Sequence, residues 1–186
     1  MSQDFLINQF LVAMPALNDP NFQQSVVYIC EHNSESTLGI VINRPTNVVL
    51  GDVFKQLSIP PGDRRLAQQP VFQGGPMQTE RGFVIHEPAG TWESTLKIND
   101  ALGVTTSRDV LAAMARGEGP RKAFVALGYA GWSAGQLETE LASNSWLSTP
   151  ADQHIIFETP VEQRWQAAAH LIGVDLTLLS GDAGHA

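Results

Sequence analysis

Glycine and proline punctuation constrains this chain more than any single motif. Sixteen glycines and eleven prolines break its apolar material into short runs, each well below the roughly 18 residues a membrane helix needs. Within the runs the apolar residues alternate, as they do on a half-buried strand. Residues 5–14 (FLINQFLVAM) and 25–31 (SVVYICE) predict strands on either side of a turn at Asn18–Asp19–Pro20–Asn21. Residues 37–43 (TLGIVIN) predict a third, stopped at Asn43–Arg44–Pro45, because proline cannot donate to a ladder. A short helix is expected over 51–58, closed by Pro60–Pro61–Gly62, with a polar loop running to Gln69. PVFQ (70–73), GFVIHE (82–87) and WESTLKI (92–98) read as further short strands.

Helical signals concentrate in the second half. Thr106 and Asp109 have capping-box spacing before VLAAMA, with Gly117 as the stop. A strand over 121–128 follows, then a helix from 134, for which Ser133 and Gln136 repeat the capping spacing. Residues 152–157 (DQHIIF) predict a strand. A last helix is opened by Thr159, Pro160 and Glu162 and closed by Gly173, with Val161, Trp165, Ala168, Ala169 and Ile172 on one face. Strands early and helices interspersed late indicate an α+β fold, a largely antiparallel sheet curling into a small β-barrel core surrounded by helices. No repeat or internal linker divides residues 1–186, so one domain is expected, with 180–186 as a loose tail.

Charge narrows the choice of partners. The net charge is −8, and the basic residues stand singly or in pairs, as at Arg64–Arg65 and Arg121–Lys122. After Lys122 only Arg164 is basic. Affinity for a phosphate backbone comes largely from clustered Lys and Arg, so direct nucleic-acid binding is disfavoured. The N-terminus carries Asp4 and no basic stretch before an apolar core, which argues for a cytoplasmic protein with no membrane segment. Cys30 is the single cysteine.

Several patterns could carry chemistry. Gly131–Trp132–Ser133–Ala134–Gly135 fits the G-x-S-x-G nucleophile elbow between a predicted strand and helix, and Asp152 or Asp175 with His170 or His185 would complete a triad. The βαβ units of a hydrolase sheet and a separate oxyanion loop are missing, and the same serine is explained as a helix N-cap. Ser94–Thr95–Leu96–Lys97 matches S-x-x-K but lies in a strand-like run, where residues three apart face opposite sides. Tyr28, Cys30 and His32 alternate along one predicted strand, which would bring a thiol and an imidazole onto one face as a redox or nucleophilic pair; a small buried apolar cysteine is the simpler reading. The five histidines are scattered, with no H-E-x-x-H, and imply no metal. Gly74–Gly75–Pro76 lacks the motifs of a phosphate loop and reads as a turn where two backbones approach. No cofactor is implied.

In order, QFLVAMPALNDPNFQQSVVYICEHN (9–33), GIVINRP (39–45), FQGGPM (72–77), GFVIHE (82–87), GYAGWSAGQLETEL (128–141) and NSWL (144–147) resemble the YqgE/AlgH family over essentially the whole chain. The resemblance implies an α+β fold with a small β-barrel core, a cytoplasmic bacterial protein, and a transcriptional regulator linked in one lineage to alginate production. It brings no established enzymatic activity. In that family the position of Ser133 often carries glycine, which argues against a required nucleophile. The residues expected to form a ligand or partner surface are Asn43, Arg44, Pro45, Gly74, Gly75, Pro76, Tyr129, Trp132, Gln136 and Glu138. Physically they could equally be a folding device, with Gln136 and Glu138 serving the tips of Tyr129 and Trp132, and Asn43–Arg44 closing a network onto Glu138. The expected function is that of a non-enzymatic binding or regulatory protein acting through a protein partner or a small ligand. A serine hydrolase at Ser133 is the alternative, and a direct DNA-binding regulator the third.

Overall fold

A computed structural model of the chain describes residues 5–179; the expected tail at 180–186 and His185 lie outside them. The punctuated segments become ten strands and seven short helices among these residues. Strands β1 (Gln9–Ala13), β2 (Val26–His32) and β3 (Ser36–Val41) form an antiparallel meander, extended on its outer edge by β10 (Trp146–Pro150). Pro45 starts β4 (Pro45–Val49), so the expected stop at Asn43–Arg44–Pro45 is a corner between strands. Then come α1 (Leu50–Gln56), α2 (Arg64–Ala67), β5 (Pro70–Gln73), β6 (Met77–Glu87), β7 (Thr95–Lys97), β8 (Gly103–Thr105) and α3 (Arg108–Ala115). The second half holds β9 (Lys122–Ser133), α4 (Gln136–Ala142), α5 (Gln153–Phe157), α6 (Arg164–His170) and α7 (Leu176–Leu179).

The sheet runs β10-β1-β2-β3-β9-β6-β8-β7, all antiparallel, with β4 and β5 as a branch in which β5 lies parallel to β9. β9 is the spine. Its residues Lys122–Leu127 pair with β6, and Ala130–Ser133 pair with β3, so one continuous strand joins two half-sheets. The sheet curls about it into a half-barrel.

The central strands bury both faces, so that Val26–Cys30 are all buried, whereas β4 and β7 remain half-buried or exposed. Inside the curl, Phe10, Tyr28, Ile40, Phe72, Ile85 and Phe124 meet Ile155, Ile156, Ala168 and Ala169 from α5 and α6. Outside, α1 and α3 cover one half-sheet through Leu50, Phe54, Val110 and Leu111, and α4 covers the other through Leu137 against Trp132 and Trp146. Burial on this scale, at roughly 25 cal/mol per Å² of apolar surface, is the main term holding the fold.

Several expectations need correction. Residues 153–157 are helical, not a strand: Asp152 Oδ1 accepts the His154 amide at 2.8 Å, and adjacent Ile155 and Ile156 are both buried, which a helix end docked on the core permits. The loop before Gln69 contains α2, capped by Asp63. The N-cap of α3 is Ser107, not Thr106, and Asp109 accepts the Glu93 amide at 2.8 Å, tying the helix to the preceding loop. Thr159 does not cap the last helix; it bonds the His154 carbonyl, and a 3-10 turn at Val161–Gln163 precedes α6. Ile172 lies outside the buried face, 40% exposed. The S-x-x-K run is strand-like as expected, with Thr95–Lys97 forming β7 and Ser94 just before it, and Lys97 pairs with Asp100 at 3.2 Å.

Candidate functional site

The glycine positions expected in a binding surface stand where β3 and β5 abut the same flank of β9. The Gly74 amide donates to the Leu127 carbonyl at 2.7 Å, and the Gly74 carbonyl accepts from Val41 at 2.8 Å. A Cβ on Gly74 would lie 2.3 Å from the Gly128 oxygen, and one on Gly75 would lie 2.1 Å from the Tyr129 carbonyl carbon. The backbones approach as the turn reading required, and no side chain fits between them.

Asn43 and Arg44 fasten the loop before β2 and do not reach Glu138. Asn43 Oδ1 accepts the Val26 amide at 3.0 Å, Asn43 Nδ2 donates to the Gln24 carbonyl at 2.8 Å, and Arg44 Nη2 donates to the Gln23 carbonyl at 2.7 Å. Glu138 instead accepts from His32 at 2.9 Å. The aromatic tips also choose other partners than expected. Tyr129 accepts from Gln78 at 3.3 Å, while the indoles of Trp132 and Trp146 both donate to Glu140 Oε1, at 3.0 and 2.9 Å. Gln136 donates to the other Glu140 oxygen at 2.9 Å. Glu140 is thus the hub that sequence reasoning missed; its spacing of four from Gln136 on a helix was the available signal.

Ser133 ends β9 and does not cap α4. The N-cap is Gly135, in the left-handed region at φ +77°, and Gln136 Oε1 accepts both the Ser133 amide at 3.0 Å and its hydroxyl at 3.3 Å. Asp152 is spent capping α5, and His170 and Asp175 are exposed near the end of α6, so these groups are not assembled around Ser133. Among the described residues the histidine that does meet a hydroxyl is His86, whose Nε2 lies 2.7 Å from Thr105 Oγ1, with Nδ1 2.8 Å from the Pro88 carbonyl. Both side chains are fully buried.

The Cys30–His32 pair does not form. A β-bulge between Ile29 and Glu31 shifts the register against β3 and breaks the alternation. Cys30 stays with the inner cluster, while His32 turns to the outer face, where Nδ1 accepts the Leu6 amide at 2.8 Å and Nε2 therefore donates to Glu138. Burial pushes the Cys30 thiol far above its ordinary value, the reverse of what a reactive thiolate needs. Among the described residues no group of three or more His, Cys, Asp or Glu side chains is placed to hold a metal, and no helix is long and apolar enough to cross a membrane.

A concave site is present between α1, α3 and the outer face of the sheet. This cavity, about 450 Å³, has a floor of Val84, Val125 and Leu127, and walls of Val53, Leu57 and Leu111. Asp52, Gln56, Glu80, Thr106, Ser107 and Arg108 supply the polar lining. Arg108 donates to the Leu57 and Ser58 carbonyls at 3.1 to 3.3 Å, strapping α3 to the end of α1. That fixes the mouth; of its two carboxylates, Asp52 accepts the Val49 amide at 3.0 Å in capping α1, and Glu80 accepts from the Thr79 hydroxyl at 3.5 Å. Such a site can hold a small, mostly apolar molecule with a hydrogen-bonding end.

Comparison with known proteins agrees with this architecture. Residues 10–177 match the AlgH-like family model, DUF179. A UPF0301 protein of Thioalkalivibrio sulfidiphilus is 60% identical over 96% of both chains, and one of Nitrosococcus oceani is 53% identical over the same shares. The solution structure of the AlgH protein from Pseudomonas aeruginosa covers 100% of this chain and 98% of its own at 48% identity, with a TM-score of 0.82. A Corynebacterium diphtheriae protein shares the fold at 19% identity, with a TM-score of 0.76 over 97% of this chain and 94% of its own. The curled sheet, its glycine junction and these matches together make the chain a member of the AlgH-like family.

Proposed function

We propose that this protein is a non-enzymatic binding protein that regulates through a bound small ligand or a protein partner, and that its ligand occupies the cavity between α1 and α3. The observation that carries the reading is the cavity itself. Its volume falls in the range of roughly 300–1,000 Å³ typical of ligand sites, and an apolar floor meets a rim of hydroxyls and carboxylates. A catalytic reading finds less support. Ser133 bonds Gln136, the His86–Thr105 pair is buried, and the Cys30 thiol is held protonated. Regulation through a partner, not through DNA, suits the charge of −8. A cytoplasmic setting belongs to the same reading and accords with a lone, buried cysteine.

Fluorescence titration of the full chain with N-phenyl-1-naphthylamine, a neutral apolar probe, tests this. Saturable binding should weaken at least about tenfold in Leu111→Trp, which fills the cavity from α3, and stay unchanged in Ser133→Ala. Equal binding by both variants would sink the assignment of the cavity. Ester turnover lost on Ser133→Ala would sink the non-enzymatic reading.

A further inference from the structure

Arg164, the one basic residue after Lys122, is 5% exposed. Its Nε donates to the Thr159 carbonyl at 2.9 Å and its Nη1 to the Ile42 carbonyl. The guanidinium carbon sits 5.3 and 5.8 Å from the ring centres of Phe72 and Phe124, which stack on one another at 4.4 Å. No carboxylate among the described residues pairs with it. The nearest acidic influence, Glu162, is exposed and acts weakly against the burial that pulls the group down to about 10. Two carbonyls and two aromatic faces steady the cation but do not neutralise it.

Nη2 makes no hydrogen bond within the chain, yet it is not among the buried orphan atoms. It therefore faces open space. That space is a second cavity of about 230 Å³ at the end of the sheet, bounded by β5, β9, α5 and the turn before α6. Met114, Ile156, Phe157 and Val161 supply apolar lining, Gln69 and Thr159 add neutral polar groups, and no acidic side chain lines it. In a chain of net charge −8, a pocket that holds one unpaired cation and otherwise only neutral side chains selects for an anion. The volume equals on the order of eight waters at about 30 Å³ each. A phosphate or sulfate would need several donors, and Arg164 offers the only charged ones; a short apolar tail matches the wall of Met114, Ile156, Phe157 and Val161.

We propose that this cavity binds a small monocarboxylate with a short apolar or aromatic tail, its carboxylate paired with Arg164 Nη2. A cation kept only for packing would leave no donor facing a void, since the same volume filled by apolar side chains is usually as stable or more so. The site is separate from the cavity between α1 and α3, so its test stands apart from the proposed function.

The test is a titration of the isotopically labelled full chain with benzoate and with benzamide, its uncharged counterpart, followed by NMR. Benzoate should give saturable shifts at the Met114 and Ile156 methyls and at Arg164 Nε, and benzamide should bind at least about tenfold more weakly. Val161→Trp, which leaves Arg164 in place and occupies the half-buried rim, should abolish the shifts while the rest of the spectrum stays native. Arg164→Gln, if folded, should bring benzoate down to the affinity of benzamide. The proposal is overturned by equal affinity for both compounds, by shifts that survive Val161→Trp, or by no saturable shift at these nuclei up to about 10 mM.

Discussion

Glu140 accepts from two indoles that are only 4% and 3% exposed, so its removal strands two nearly buried donors at once. Leaving a buried donor unsatisfied costs about 1–3 kcal/mol, and Glu140→Ala should therefore lower the unfolding free energy by about 2 kcal/mol or more. Urea unfolding followed by tryptophan fluorescence measures this. Glu140→Gln, which keeps one acceptor oxygen, should lose clearly less. His86 supplies a pH signature. Burial lowers its imidazole below the ordinary value, with the Pro88 carbonyl acting the other way. The folded state thus holds it neutral while the unfolded chain takes up a proton near pH ~6.5, so the unfolded state binds more protons and stability falls as pH drops below that value. Unfolding curves between about pH 6.5 and 5 should show this slope, and His86→Gln should flatten it. An unchanged slope in the variant would mean that another group is responsible.

At the scale of elements, β9 carries the most constraint, because one strand must pair with β6, β5 and β3 in turn. Gly128 stands at the change of partner with φ +83°, and a Cβ there would meet the Gly75 oxygen at 2.5 Å. Gly128→Ala should cost about 3 kcal/mol or more, combining left-handed strain with a backbone clash. Gly135 has a similar φ of +77° but open space around it, so Gly135→Ala should cost only about 1–2 kcal/mol. Equal costs in chemical denaturation would refute the crowded junction. The strands were largely legible as alternating runs between glycines and prolines, and β2, β3, β5 and α1 lie close to their expected spans. Residues 152–157 were misread because His154, Ile155 and Ile156 fit a short strand by composition. Only the Asp152 cap and the inward docking of both isoleucines decide for helix.

For the whole molecule, charge and cavities set what can be bound. On α3, Arg108 is committed to the carbonyls of Leu57 and Ser58, and Arg116 pairs with Glu118 at 3.2 Å. Neither supplies the clustered cations that phosphate-tracking surfaces use. The intact protein is expected to shift no duplex DNA in a mobility assay even at low salt; a shift with steep salt dependence would show a charged face that these pairings do not explain. At the expected surface, Asn43, Arg44 and Gly74 bond backbone groups of the chain itself, while Glu138 and Gln136 stand exposed.

Local sequence settled the short strands, the glycines at the sheet junction and the family signature, because hydrophobic alternation and steric permission act between neighbours along the chain. Tertiary structure decided which groups meet. One extra residue in β2 sends His32 to Glu138 and leaves Cys30 among apolar side chains. The docking of α6 on β1, β2 and β10 buries Arg164 beside Ile42 and Phe72, more than ninety positions away. Such pairings depend on register and curvature, which arise only when distant segments compete for the same core.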